Sequence, residues 1–179
     1  MPSNYQHPTN EFDGQSRGTR NYRPLLFLIT LAVVILDRIS KLAVAKNLAL
    51  GAAHVVIPHV FRITHVLNTG AAFSMFADSL SPAAVRWGLV AFSVVAILIV
   101  LYMLWRTATE FSPTSVALAL ILGGAIGNLY DRIHLHYVID FLEVTIVHYH
   151  WPDFNVADSC IVVGACLLVI EIFRPQPQS

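Results

Sequence analysis

Five carboxylates stand at the edges of long apolar runs in a chain with few charges elsewhere: Asp37, Asp131, Asp140, Glu143 and Asp158. An ionisable group beside hydrocarbon is expensive to keep there, so each marks a functional site unless a structural partner explains it. The chemistry within reach is acid–base. Two carboxylates sharing one site cannot both ionise cheaply, so one keeps its proton near neutral pH. The ionised partner can deprotonate a water and the protonated one can polarise a carbonyl, with no covalent intermediate. The chain also has eight histidines, two pairs of which have H-x-H spacing, His134/His136 and His148/His150. Neither pair has the helical H-E-x-x-H arrangement of zinc peptidases, so no metal and no cofactor are expected.

Each acid also has a structural explanation to weigh. In GGAIGNLYDR, Asn128, Asp131 and Arg132 lie at i, i+3 and i+4 and share one helical face, so a packed helix with Arg132 paired to a neighbouring carboxylate accounts for Asp131 equally well. Gly123 and Gly127 form a small-xxx-small pair that lets another helix approach closely. In DRISK, Asp37 and Lys41 have the i, i+4 spacing of an intrahelical ion pair. In FNVAD, Asn155 reads as a helix N-cap with Asp158 at the third helical position, a capping box that would also fix where Asp158 points. Asp140, between Ile139 and Phe141 with no Lys or Arg adjacent, gains nothing from packing and reads as functional. Glu143 reads as a solvated or interfacial acid. NTGAAFS, which holds Asn68 and Gly70, is a small-residue turn that admits close backbone approach, and Asn68 offers both a donor and an acceptor.

The elements that must position these residues are long and apolar. The chain has 179 residues, 56% hydrophobic and 12% charged, against about 25% charged residues in an ordinary soluble domain. That balance points to a membrane and to one compact bundle. The net charge is zero and no basic stripe exists, so nucleic acid is not an expected partner and membrane lipids are. A bilayer core takes about 20 apolar residues in a helix. Trp87–Trp105 and Phe111–Tyr130 meet this without a charge, while Leu25–Val44 and Val156–Phe173 meet it by admitting polar residues near one end. The expectation is a four-transmembrane-helix bundle, all-α apart from a small outer strand segment in HVVIPHVFRITHVL and a surface-lying helix or loop in HYVIDFLEVTIVHYHW. Residues 1–23 read as a disordered tail, 24–174 as the membrane domain and 175–179 as a short C-terminal tail. Arg17, Arg20 and Arg23 cluster before the first span, so the positive-inside rule places both termini in the cytoplasm and the acids at the outer surface. Cys160 and Cys166 read as buried free thiols. An ion-coupled transporter is the alternative from another class, but it would place its acids near the midplane and show internal repeats, and neither is seen.

Taken in order, DRISK, NTGAAFS, GGAIGNLYDRI, VIDF and FNVAD on four spans resemble lipoprotein signal peptidase, the signal peptidase II family of bacterial membrane aspartic peptidases. The resemblance covers roughly residues 25–173. Arg38 stands where that family's first motif carries Gln. The resemblance implies that Asp140 and Asp158 are the catalytic aspartates, with supporting roles for Asn68, Gly70, Asn128, Arg132, Asn155, Asp131, Asp37 and Lys41. It further implies a monomer in the bacterial inner membrane that cleaves diacylglyceryl-modified prolipoproteins just before the lipidated Cys.

Overall fold

Serines and prolines set the helix starts. In the computed structural model, which describes residues 21–70 and 81–174, Pro24 stands in the first turn of α1 (Arg23–Asn47). Ser81 caps α2 (Pro82–Thr107) by accepting from the Ala84 amide, and Ser112 and Ser115 form a reciprocal capping box at the start of α3 (Pro113–His134). Proline at the first helical position removes an amide that would have no partner there. The expected spans Leu25–Val44 and Trp87–Trp105 fall inside these helices, and Phe111–Tyr130 coincides with α3 from Pro113 onward, two residues later than expected. The fourth, α4 (Val156–Ile172), begins at the expected Asn155 cap. The remainder of the expected tails and Ala71–Ser74 of NTGAAFS lie outside the described residues.

Four strands complete the described fold: β1 (Ala53–Ile57), β2 (Phe61–Asn68), β3 (Val138–Ile146) and β4 (Tyr149–His150). They form one antiparallel sheet in the order β1-β2-β3-β4. This corrects the expectation of an almost all-α chain, since VIDFLEVTI is a strand and not a surface-lying helix or loop. Its Val, Ile, Phe and Thr residues favour a pleated surface, and β2 supplies a pairing edge that only the fold brings near. The β2–β3 pairing carries a bulge between Ile63 and Val66. Arg62 and Asn68 would share one face of a regular strand, and the extra residue turns them to opposite faces. Arg62 therefore stands across from Glu143 on one face, and Asn68 reaches Asp140 on the other.

Helix α3 is the hub and packs against α1, α2 and α4. At one end of the bundle the contacts are apolar, with Leu26, Leu104, Ala108, Leu118, Ala119 and Leu122 buried together. At the sheet end they are polar. The buried stripe of α1 runs Leu26, Thr30, Val33, Asp37, Lys41, so the inward face becomes charged as it approaches the sheet. Its outward face carries exposed Leu28, Leu31, Ile35, Leu36, Ile39 and Leu42. Such a helix is polar inside and apolar outside, the reverse of a helix in water. Among the described residues two helices, α2 and α3, are long and apolar enough to cross a membrane, and α2 is apolar over nearly its whole exposed surface. Both cysteines are free, Cys160 half-buried and Cys166 exposed, which corrects the expectation that both are buried.

Glycines in α3 allow the close approaches that the hub needs. A Cβ at Gly123 would sit 2.7 Å from Val33 Cβ on α1, and one at Gly127 would sit 2.7 Å from Asp37 Oδ2. The expected small-residue pair thus faces α1. Gly124, which that pairing does not include, faces α4: its Cβ would lie 2.3 Å from the Ala157 carbonyl oxygen.

Candidate active site

Asp140 and Asp158 come together through a single residue between them. Phe154 exchanges backbone hydrogen bonds with Leu142 of β3, so the chain entering α4 is zipped to the strand that carries Asp140. The next residue, Asn155, is fully buried. Its Oδ1 accepts from the Asp158 amide at 3.0 Å and its own amide donates to Asp158 Oδ2 at 3.3 Å, the reciprocal capping box read from the sequence. Its Nδ2 donates to Asp140 Oδ1 at 2.7 Å. One asparagine thus caps the helix, orients Asp158 and binds Asp140.

Two further amides complete the setting. Asn68 Nδ2 donates to Asp140 Oδ2 at 2.9 Å, a diagonal contact across β2–β3, while Asn68 Oδ1 accepts from the Gly70 amide at 2.8 Å. Gly70 has φ +87°, and a Cβ there would lie 2.7 Å from Leu89 on α2, so both backbone angle and space favour glycine. Asn128 Nδ2 donates to Asp158 Oδ1 at 2.7 Å.

Asp140 is 2% exposed, whereas Asp158 is half-buried. Burial pushes the Asp140 carboxyl up to about 6; the neighbouring Asp158 charge adds to the rise, and the bonds from Asn68 and Asn155 oppose it. A carboxyl held there changes protonation near the working range of a general acid.

Asp37, Lys41 and Asp131 form a buried ionic cluster beneath the pair. Lys41 Nζ lies 2.7 Å from Asp37 Oδ2, 2.8 Å from Asp131 Oδ2 and 3.0 Å from Asn128 Oδ1. Asp37 Oδ1 accepts from the Ala157 amide at 3.0 Å, which ties α1 to the first turn of α4. Arg38 pairs with Asp131 at 3.3 Å and stacks over Tyr130. The partners of Asp131 are therefore Lys41 and Arg38, and not Arg132 as its spacing suggested. Arg132 is half-buried in the last turn of α3, with Asp158, Asp140 and Asp131 as its charged neighbours.

Glu143 corrects a second reading. It is 7% exposed and held by Arg62 across the sheet, with two guanidinium bonds, so it is not a solvated acid. The only sign of this in the sequence was an Arg in another outer segment. Asp153, which the sequence reading passed over, accepts from Thr64 Oγ1 at 2.6 Å and pins the segment before α4 to β2.

The sequence profile described as Signal peptidase (SPase) II matches residues 29–174. The chain is 42% identical over 146 residues to a lipoprotein signal peptidase of Paraburkholderia phymatum, covering 82% of this chain and 86% of that protein. To a lipoprotein signal peptidase of Paraburkholderia phytofirmans it is 44% identical over 146 residues, covering 82% and 83%. A bacterial membrane enzyme solved by the in meso method at 1.9 Å superposes with a TM-score of 0.71 at 30% identity, over 88% of this chain and 97% of that one. A second, solved at 2.3 Å, superposes with a TM-score of 0.75 at 27% identity, over 89% and 96%.

Proposed function

The chain belongs to the signal peptidase II family, and on that premise we propose that it is a membrane aspartic endopeptidase that removes the signal peptide from diacylglyceryl-modified prolipoproteins. Cleavage falls just before the lipidated Cys, and Asp140 and Asp158 activate the water. The observation that carries this reading is the Asn155 bridge, whose side-chain and backbone N–H groups hold one carboxylate of β3 and one of α4. Asp158, the more exposed of the two, acts as base and takes a proton from water. Asp140, protonated up to about pH 6, polarises the scissile carbonyl and then passes its proton toward the leaving amine. Asn68, Asn128 and Asn155 each donate to a carboxylate oxygen and keep the pair in place as charge moves between its members.

All four helices cross the bacterial inner membrane, with both chain ends in the cytoplasm and the sheet at the outer surface. The charges of α1 point inward to the buried cluster, so they do not oppose insertion, and its outward face is apolar. The site then lies where a signal helix ends and a lipid anchor remains in the leaflet. Incubating the purified protein with a lipidated prolipoprotein and with its unlipidated counterpart tests the function: only the lipidated form is cut. Equal cleavage of both would remove the lipid from the recognised substrate, and cleavage of neither would remove the activity.

A further inference from the structure

Each of the three amides around the candidate pair has one end occupied by a partner that can only donate. Asn68 Oδ1 faces the Gly70 amide and Asn155 Oδ1 faces the Asp158 amide, so those two are oriented by nearby backbone. Asn128 sits inside a helix, and no backbone amide orients its side chain. Its Oδ1 faces Lys41 Nζ at 3.0 Å and, more weakly, Asn155 Nδ2 at 3.3 Å. An ammonium has three N–H groups and no acceptor. Lys41 donates to Asp37 and Asn128 and stands 2.8 Å from Asp131 as an ion pair, with the side chain fully buried. Turning the Asn128 amide over would set its NH2 against the ammonium and its oxygen against Asp158.

We propose that Lys41 is a positioning residue for the reaction: through the Asn128 carbonyl it locks the amide so that Nδ2 always donates to Asp158 Oδ1 and holds that carboxylate in place. This rests on the reading of Asp140 and Asp158 as the catalytic pair. The role is additional to the salt bridges, because Lys41 and Arg38 together offset Asp37 and Asp131 and the bond to Asn128 takes no part in that balance. The charged neighbours of Asp158 are Asp140 from β3 and Arg132 from α3, and behind Asn128 lies the cluster of Asp131 from α3 with Lys41 and Asp37 from α1. Of these, Lys41 is the cation with a hydrogen-bonded route to Asp158, by way of Asn128.

The test is the pH–rate profile of the purified full-length enzyme on a lipidated prolipoprotein, for the parent, Lys41→Met, Asn128→Ala and the double variant. Each single variant is expected to move the acid limb of kcat up by about one pH unit and to lower kcat about tenfold, with little change in KM. Lys41→Met should add no further shift in the Asn128→Ala background, because both act along one path. A lowered kcat with an unmoved limb, or a full further shift in that background, overturns the relay. If Lys41→Met does not fold because Asp37 and Asp131 lose their cation, Asp37→Asn/Lys41→Met/Asp131→Asn removes all three charges and is judged in the same way. If that variant also fails to fold, Asn128→Ala decides alone: a raised limb supports the relay and an unmoved one overturns it. Cleavage by the parent tests the functional reading separately.

Discussion

Asp140 and Asp158 receive hydrogen bonds from the same family of donors but differ in burial, and the difference predicts distinct behaviour for their variants. Asp140→Asn and Asp158→Asn each remove one half of the proposed acid–base pair, so each should lower kcat about 10³-fold while the protein still inserts and folds. Full turnover by either variant would end the two-aspartate reading. Stability separates them. The folded-state value of Asp140, about 6, lies above its ordinary 3.8, so the folded protein holds that proton more tightly than the unfolded chain does. Its contribution is most favourable below about pH 4 and is lost as pH rises through about 6, an effect of up to ~3 kcal/mol. Thermal unfolding in detergent should therefore show stability falling between pH 4.5 and 7.5, and Asp140→Asn should flatten that slope.

The element that organises the site is α3, because its glycines set the distances to α1 and α4. Gly124→Ala would force a methyl to within 2.3 Å of the Ala157 carbonyl, one residue before Asp158, and backbone cannot yield as a side chain can. The variant should lose about 1–3 kcal/mol of stability and, by moving the first turn of α4, lose activity as well. Gly88→Ala in α2, where nothing lies within 4 Å of the added carbon, is the control and should leave both unchanged or slightly raise stability. Unfolding temperature and initial rate for the two variants check the claim; equal behaviour would mean that α3 and α4 adjust freely. The sheet acts through one irregularity. The β2 bulge sends Asn68 and Arg62 to opposite faces, one serving Asp140 and the other neutralising Glu143.

For the whole molecule, an apolar core at one end and an ionic cluster at the other give the bundle a polarity that matches a membrane enzyme working at one surface. The proposed four crossings would put the sheet and the α2–α3 connection on opposite sides. With Cys160→Ser and Cys166→Ser as background, His148→Cys should react with a membrane-impermeant maleimide in intact spheroplasts. Thr109→Cys should react only after permeabilisation. The reverse pattern would invert the orientation, and labelling of both from outside would break the four-span topology.

Much of this was present in the chain before it folds. Run length marked all four helices, cap chemistry started α4 at Asn155, and the cost of an acid between Ile139 and Phe141 singled out Asp140. Each of those is local, decided by residues a few positions apart. Tertiary structure decided the rest: that Asp131 belongs to Lys41 and Arg38, that Glu143 is buried against Arg62, that VIDFLEVTI is a strand, and that three asparagines aim their NH2 groups at two carboxylates. The physical reason is the same in every case. An ion pair, a strand edge or an amide's orientation takes its energy from a partner distant in sequence, and local spacing proposes near partners while the fold supplies far ones.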